Sequence, residues 1–378
     1  MSFFSLEKTS PASKARAGRL RTAHAEIQTP VFMPVGTAGA VKALSPRDVE
    51  ETGARLILGN TYHLYLRPGC DLIAEAGGLH RFASWPHAML TDSGGFQVWS
   101  LETLRKLSEK GVEFRSHIDG SKHMFTPESV MEAQRKLGAD IFMAFDECTP
   151  YPATLEVAIK SLELTQRWHE RAAQWLAEHP EMHGYPQYFF GISQGGMHLE
   201  LRTKSIEHLM GLDLPGYALG GLSVGEPADE MYSVADHCTN ILPAEKPRYV
   251  MGVGTPSNLL ELISRGIDMF DCVMPTRNAR NGTVFTWQGA FHYKAARHAK
   301  ELDMPIDPDC GCYTCKNFSR AYLRHLFVSG EILIMELATI HSLYFYQDLM
   351  RIARAKILEG IFEPWKETLI RLWNQAEN

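Results

Sequence analysis

Eight short apolar runs, each closed by a polar or glycine-containing turn, set the limits on what this chain can fold into. They start at Val31 (VFMPVGT), Leu56 (LILGNTY), Ala88 (AMLTDSGG), Ile141 (IFMAFDEC), Tyr188 (YFFGISQGG), Tyr217 (YALGGLSVGE), Arg248 (RYVMGVGT) and Met269 (MFDCVMPT). Continuous apolar runs alternating with helical stretches indicate parallel strands covered by helices. The helical stretches have recognisable starts, because Ser45-Pro46 and Thr126-Pro127 place a capping hydroxyl before proline. Thr154–Ala177, Leu199–Met210, Pro227–Leu242 and Pro256–Gly266 follow, with Gly138, Gly211 and Gly266 where left-handed C-terminal caps belong. Eight such units predict an α/β fold, an irregular (β/α)8 TIM-type barrel. An open doubly wound sheet would need a glycine-rich phosphate turn after its first strand, and Val35-Gly36-Thr37 is not one.

At 378 residues the chain has room for one large domain or two, but no second autonomous domain is needed. One catalytic domain over 1–378 is expected. It would carry a β lead-in at about 15–30, a charged excursion over the barrel mouth from Trp99 to Lys122, a hairpin in VFTWQGAFHYKAARHAK and a helical tail from Ile340. No apolar run is long enough to span a bilayer, and the N-terminus lacks the charge order of a secretory signal, so the expected location is cytoplasmic.

In a barrel, side chains at the C-terminal ends of the strands line the active face. Those ends read Asn60, Asp92, Asp146, Gln194, Gly221, Met251 and Asp271, which brings three aspartates to one mouth. After Asp271 the chain breaks at Pro275 into a turn bearing Arg277 and Arg280. Guanidinium forks there suit phosphate. The protein carries a net charge of −6, yet Met274–Lys300 holds five cations and no acid, a local face for polyanions.

Seven cysteines divide into four scattered singles and a trio at Cys310, Cys312 and Cys315. Three thiolates and one imidazole close a tetrahedral shell, which marks a structural zinc rather than a catalytic one. Spacing alone favours His341 as the fourth ligand and leaves His325 and His298 open.

These motifs together resemble the bacterial tRNA-guanine transglycosylases, the queuine tRNA-ribosyltransferases, over nearly the whole chain. The likeness rests on TPVFMPVGT, LGNTYHLYLRPG, TDSGGFQV, FDECTPYPA, GGLSVGE, MGVGTP, GIDMFDCVMPTRNARNG and CGCYTC with its histidine. It implies a barrel with a C-terminal zinc-binding insertion, here about 283–345, holding one structural Zn2+ on Cys310, Cys312, Cys315 and His341. The implied reaction replaces guanine at the wobble position of GUN-anticodon tRNAs (Asp, Asn, His, Tyr) with 7-aminomethyl-7-deazaguanine, in queuosine biosynthesis. The alternative incoming base is queuine itself.

Retention at the sugar carbon needs two displacements, so Asp271 matches the nucleophile and Asp92 the general acid/base. Ser93, Gly94, Gly95, Phe96, Asp146, Cys148, Gln194, Gly221, Leu222 and Met251 match the base pocket. Within it, Asp146 reads N1 and the exocyclic amine, Gln194 and the Gly221 amide take O6, and Phe96 and Met251 sandwich the ring. Gly252, Val253, Gly254, Thr255, Thr276, Arg277, Asn278, Ala279 and Arg280 match the tRNA contacts. The resemblance also implies a homodimer.

Phe96 stands where most bacterial members carry Tyr, Ser223 replaces Ala, Gly196 replaces Ser and Thr255 replaces Lys. Two other readings compete. A non-catalytic partner subunit would lack Asp92 and Asp271, and a nucleoside-cleaving barrel would not need the basic segment.

Overall fold

The computed structural model describes residues 2–95, 97 and 105–377. The eight apolar runs form the eight strands of one parallel sheet: β1 (Val31–Met33), β2 (Leu56–Gly59), β3 (Ala88–Thr91), β4 (Ile141–Met143), β5 (Tyr188–Ser193), β6 (Gly216–Leu219), β7 (Arg248–Val250) and β8 (Met269–Asp271). Neighbours pair in chain order from β2 to β8, and β8 pairs with β1. Between β1 and β2 the ladder shrinks to a bridge at Val35 and Leu58, where Gly36 N donates to Leu58 O at 2.7 Å and Leu58 N to Pro34 O at 3.0 Å. The sheet is a nearly closed barrel.

The helix starts read from sequence hold. Ser45 and Asp48 form a reciprocal capping box, Thr126 and Ser129 form another, and Thr154 caps Leu155–Glu178. Gly138 ends its helix at φ 74 and Gly266 follows its helix at φ 88. Gly211 departs from expectation. It stays inside helix Leu199–Gly211, and Asp213, at φ 46, makes the left-handed turn instead. Asp tolerates that region better than most side chains, so the glycine there was a misleading signal.

The lead-in is a three-stranded antiparallel sheet, Phe4–Thr9, Arg16–Arg21 and Glu26–Thr29. Its first strand left little trace in the sequence because only Phe4 of that strand is buried. This sheet plugs the N-terminal end of the barrel through two buried carboxylates. Asp268, just before β8, accepts from Arg16 Nε at 2.9 Å and from the Arg248 amide at 2.7 Å. Asp140, just before β4, accepts from His24 Nδ1 at 2.8 Å, His80 Nε2 at 2.9 Å and the Met89 amide at 2.9 Å.

Burial alone would raise the Asp140 carboxyl, but the hydrogen bonds from His24 and His80 outweigh it and hold the group far below the usual carboxylate range. A depressed carboxyl contributes stability that is complete above its unfolded value, about 4, and that is lost as pH falls from there toward the folded value. Asp140→Ala strands three donors, so it should cost about 3 kcal/mol at neutral pH in urea unfolding. Much of that difference should vanish in acid. A variant as stable as the wild type at pH 7 would contradict this.

Beyond β3, residues 105–125 form a small antiparallel sheet, Lys106–Ser108, Gly111–Arg115 and Lys122–Phe125. It is the described part of the expected excursion. It flanks the mouth rather than floating free, because Phe114 and Phe125 pack on Tyr62 and Tyr65 and Trp168 Nε1 donates to Glu109 O at 3.0 Å. The hairpin after β8 is present as Val284–Thr286 and Gly289–Phe291. Helix Leu333–Glu359 then returns along the barrel, where Gln347 Nε2 donates to Phe32 O at 3.0 Å and Ser342 Oγ to Pro275 O at 2.9 Å.

Candidate active site and metal site

Three carboxylates sit at the C-terminal ends of their strands, and each is held differently. Asp92 follows β3 and is buried, with 7% of its surface exposed. Both its oxygens are tied: Thr61 N donates to Oδ1 at 2.8 Å and Asn60 Nδ2 to Oδ2 at 2.5 Å. Burial pushes its carboxyl up to about 6 against those two hydrogen bonds, and the nearby Asp271 charge adds to the rise. A group so placed exchanges a proton near neutral pH.

Asp271 ends β8 and is only partly buried. Its Oδ1 accepts from Tyr249 Oη at 2.5 Å and from Gly252 N at 2.9 Å, and Oδ2 has no hydrogen bond among the described residues. Burial raises this carboxyl too, while Tyr249 and Gly252 oppose the rise. One anchored oxygen and one free oxygen is the arrangement an attacking carboxylate requires.

Asp146, beyond β4, accepts from Gln194 Nε2 at 2.7 Å, so two of the expected base-reading residues already touch. Burial lifts its carboxyl to about 6, with Gln194 opposing and the charges of Glu147 and Asp92 adding. Gly95 presses on it so closely that a Cβ there would lie 2.9 Å from Asp146 O. Gly221, at φ 64, approaches Gln194 in the same way: its Cβ would lie 2.6 Å from Gln194 Oε1. Ser93 Oγ accepts from the Gly95 amide at 3.3 Å, and Gly94, at φ 79, packs against Tyr62.

Leu222 is buried and Met251 half-buried against the core. Cys148 is buried, which pushes its thiol up to about 12, so it forms wall rather than nucleophile. Phe96 lies outside the described residues. Sequence reasoning listed Asn60 as a strand end without a role, and it missed Thr61 and Tyr249. Their signal is spatial only, because Tyr249 lies on β7 beside β8 and Thr61 opens the helix that follows β2 beside β3.

The turn expected after Asp271 is instead a short helix, Met274–Arg280. Pro275 starts it, since proline at the first helical positions costs no hydrogen bond. Arg277 is exposed, and Arg280 is half-buried with Nη1 lacking any partner among the described residues. A buried guanidinium nitrogen left unsatisfied suits an incoming phosphate oxygen. Thr276 and Asn278 belong to the same helix. The loop after β7 carries Gly252, exposed at φ 75, then Gly254 and Thr255. The side chains of Val253 and Ala279 are buried in the core.

The four residues expected to hold a metal fall together and could hold one. The ligand atoms of Cys310, Cys312, Cys315 and His341 all lie within 4.8 Å of one another, with Cys315 Sγ 3.2 Å from His341 Nδ1. His341 Nε2 donates to Phe285 O at 3.0 Å, which fixes the tautomer with Nδ1 free to bind metal. Three sulfurs and one imidazole nitrogen fit zinc. His298 is taken by Glu301 at 2.8 Å and lies outside the cluster.

Three carboxylates at the C-terminal strand ends of a (β/α)8 barrel, with a Cys3His set in the C-terminal region, mark the class as a barrel enzyme. The family model described as queuine tRNA-ribosyltransferase matches residues 11–375, and the chain belongs to that family. The queuine tRNA-ribosyltransferase of Desulforamulus reducens is 53% identical over 369 residues, covering 98% of each chain. Its namesake from Caldanaerobacter subterraneus subsp. tengcongensis is 55% identical over 364 residues, covering 96% of each. The protein is therefore a pentosyltransferase of the tRNA-guanine transglycosylase kind. No helix among the described residues is long and apolar enough to cross a membrane.

Proposed function

We propose that this enzyme exchanges guanine at the wobble position of GUN-anticodon tRNAs for 7-aminomethyl-7-deazaguanine by double displacement, as a single catalytic domain with one structural zinc. The carrying observation is the contrast between Asp92, with both oxygens tied, and Asp271, with Oδ2 free. Asp271 attacks the ribose C1′ as the guanine leaves, and Asp92 gives the base its proton. The incoming base then loses a proton to Asp92 and displaces Asp271, so configuration is retained. The two carboxylates also argue against a non-catalytic subunit.

Asp146 supplies the acceptor for the purine N1–H and amine, Gln194 and the Gly221 amide face O6, and Met251 covers the ring. Arg280, with its unpartnered Nη1, and exposed Arg277 support a phosphate path along helix Met274–Arg280. A homodimer is part of the proposal. Exposed Tyr313, Tyr322, Val328 and Ile332 on the metal-bearing segment give it an apolar face. The compartment is one that holds tRNA, the cytoplasm.

The base pocket bears on which base enters. Both Glu226 oxygens accept from the main chain, from Ser223 N and, at 2.9 Å, from Val224 N. In a trans peptide C=O and N–H point oppositely, so holding Ser223 N turns the Leu222 carbonyl away from Glu226, free for an aminomethyl group. Val224 adds bulk where queuine would place its cyclopentenediol. A clash of that size is worth about 1–3 kcal/mol. Displacement of labelled guanine from tRNA by each base tests this. The aminomethyl base should show the higher kcat/KM, by about tenfold. A higher value for queuine would reverse the assignment and make this a salvage enzyme.

The Asp146 reading has a pH consequence. Protonation, favoured below about 6, replaces one acceptor oxygen with O–H, so the carboxyl can no longer accept from both purine N1–H and the amine. Inhibition by free guanine should weaken about tenfold for each pH unit below that value. Asp146→Asn should bind guanine weakly at every pH. A wild-type guanine Ki flat from pH 7 to pH 5 would remove Asp146 from the base site.

A further inference from the structure

Arg202 stands in the first turn of helix Leu199–Gly211 and is completely buried. No carboxylate pairs with it among the described residues. Its donors go to three main-chain carbonyls: Nε to Gly196 O at 2.9 Å, Nη1 to Ser193 O at 2.6 Å and Nη2 to Gly220 O at 2.8 Å. Those carbonyls belong to two turns only, the ones closing β5 and β6, and these turns carry Gln194 and Gly221. Carbonyls satisfy the guanidinium donors but leave its charge uncancelled, an expensive state for a side chain whose only task is packing. Burial pulls the guanidinium below its ordinary value, with the more distant Cys238, Cys148 and Glu226 opposing.

The geometry of one peptide says where that charge acts. Gly220 O points at Arg202, so across the same trans peptide Gly221 N–H points the other way, away from the guanidinium. A Cβ on Gly221 would lie 3.7 Å from Arg202 Nη2, so the guanidinium stands directly behind this peptide. A peptide whose carbonyl is bound by a cation is a stronger donor at its N–H.

We infer that Arg202 is the positioning residue of the purine carbonyl site, orienting and polarising the Gly221 amide that receives O6 of the departing base. This rests on the base-exchange reading above. In that step the C1′–N9 bond breaks with its electron pair on the base, while an Asp271 oxygen forms the new bond to C1′. Ring conjugation spreads the pair to O6 until Asp92 delivers its proton. A donor strengthened at O6 stabilises the base as that charge develops.

The test compares guanine with 2-aminopurine, the same ring without O6, as inhibitors of labelled-guanine exchange into tRNA by the full-length zinc-loaded enzyme. In the wild type guanine should bind far better than 2-aminopurine. In Arg202→Met the ratio of the two inhibition constants should fall about tenfold, with 2-aminopurine nearly unchanged. In Arg202→Lys, which keeps the charge but cannot reach all three carbonyls, the ratio should fall about threefold. If the Met variant does not fold, the Lys variant decides alone. A wild-type ratio in whichever variant folds, even with both constants weakened together, would reduce Arg202 to a structural clamp. A wild-type enzyme that exchanges no guanine would instead overturn the functional reading itself.

Discussion

Asp271→Asn is expected to abolish the covalent enzyme–tRNA band on a denaturing gel and to lower exchange about 10^4-fold or more, with melting temperature and tRNA affinity close to wild type. The reason lies in the free oxygen. Asp271 Oδ1 is held by Tyr249 Oη and Gly252 N, so Oδ2 is the atom able to attack C1′. An amide keeps the acceptor at Oδ1 but places a poorly nucleophilic NH2 where the attack must start. Asp92 does not replace it, since Asn60 and Thr61 already hold both its oxygens. Asp92→Asn should lower exchange as well but still allow some covalent band to form slowly, because proton transfer assists bond breaking without making the new bond. A band that persists in Asp271→Asn would move the nucleophile to Asp92.

Loss of the proposed zinc is expected to be the second large effect. Removing the His341 imidazole leaves three crowded thiolates around an ion with an open position, and metal binding to such a set is part of the folding free energy. Elemental analysis of the wild type should return one zinc per chain. His341→Ala should retain little zinc and melt about 10 °C lower, consistent with a loss of several kcal/mol in a chain of this length. Because the apolar face with Tyr313, Tyr322 and Ile332 belongs to the same segment, the variant should also sediment as monomer where the wild type sediments as dimer. Stoichiometric zinc in His341→Ala would exclude this ligand set. A wild type that sediments as monomer would exclude the dimer.

What the sequence showed and what it hid follow one physical division. The eight strands were legible because strands buried on both faces must be continuously apolar, and the three aspartates of the barrel mouth were legible because each ends such a run. The Cys310, Cys312 and Cys315 trio was legible because its spacing is local, whereas His341 needed the fold to separate it from His298. Groups that act on a carboxylate from a neighbouring strand were hidden. Tyr249 lies 22 positions from Asp271, and Asn60 lies 32 positions from Asp92. Arg202 was hidden for another reason, since in sequence it is one more cation on an amphipathic helix. The segment after Asp271 was misread as a turn because Pro275 was taken to break the chain, when it opens a helix. Strand Phe4–Thr9 was missed because an edge strand with one buried residue carries no alternation.

The proposed reaction replaces one base with another on intact tRNA. The direct measurement uses tRNA carrying labelled guanine at the wobble position, with purified enzyme and no other protein. Added 7-aminomethyl-7-deazaguanine should release the label and enter the tRNA mole for mole, leaving the strand uncut, while enzyme and tRNA without an incoming base should release no more label than there is enzyme. Continuous release of guanine to leave an abasic site would make this a hydrolase. No release from any GUN-anticodon tRNA would contradict the proposed exchange altogether.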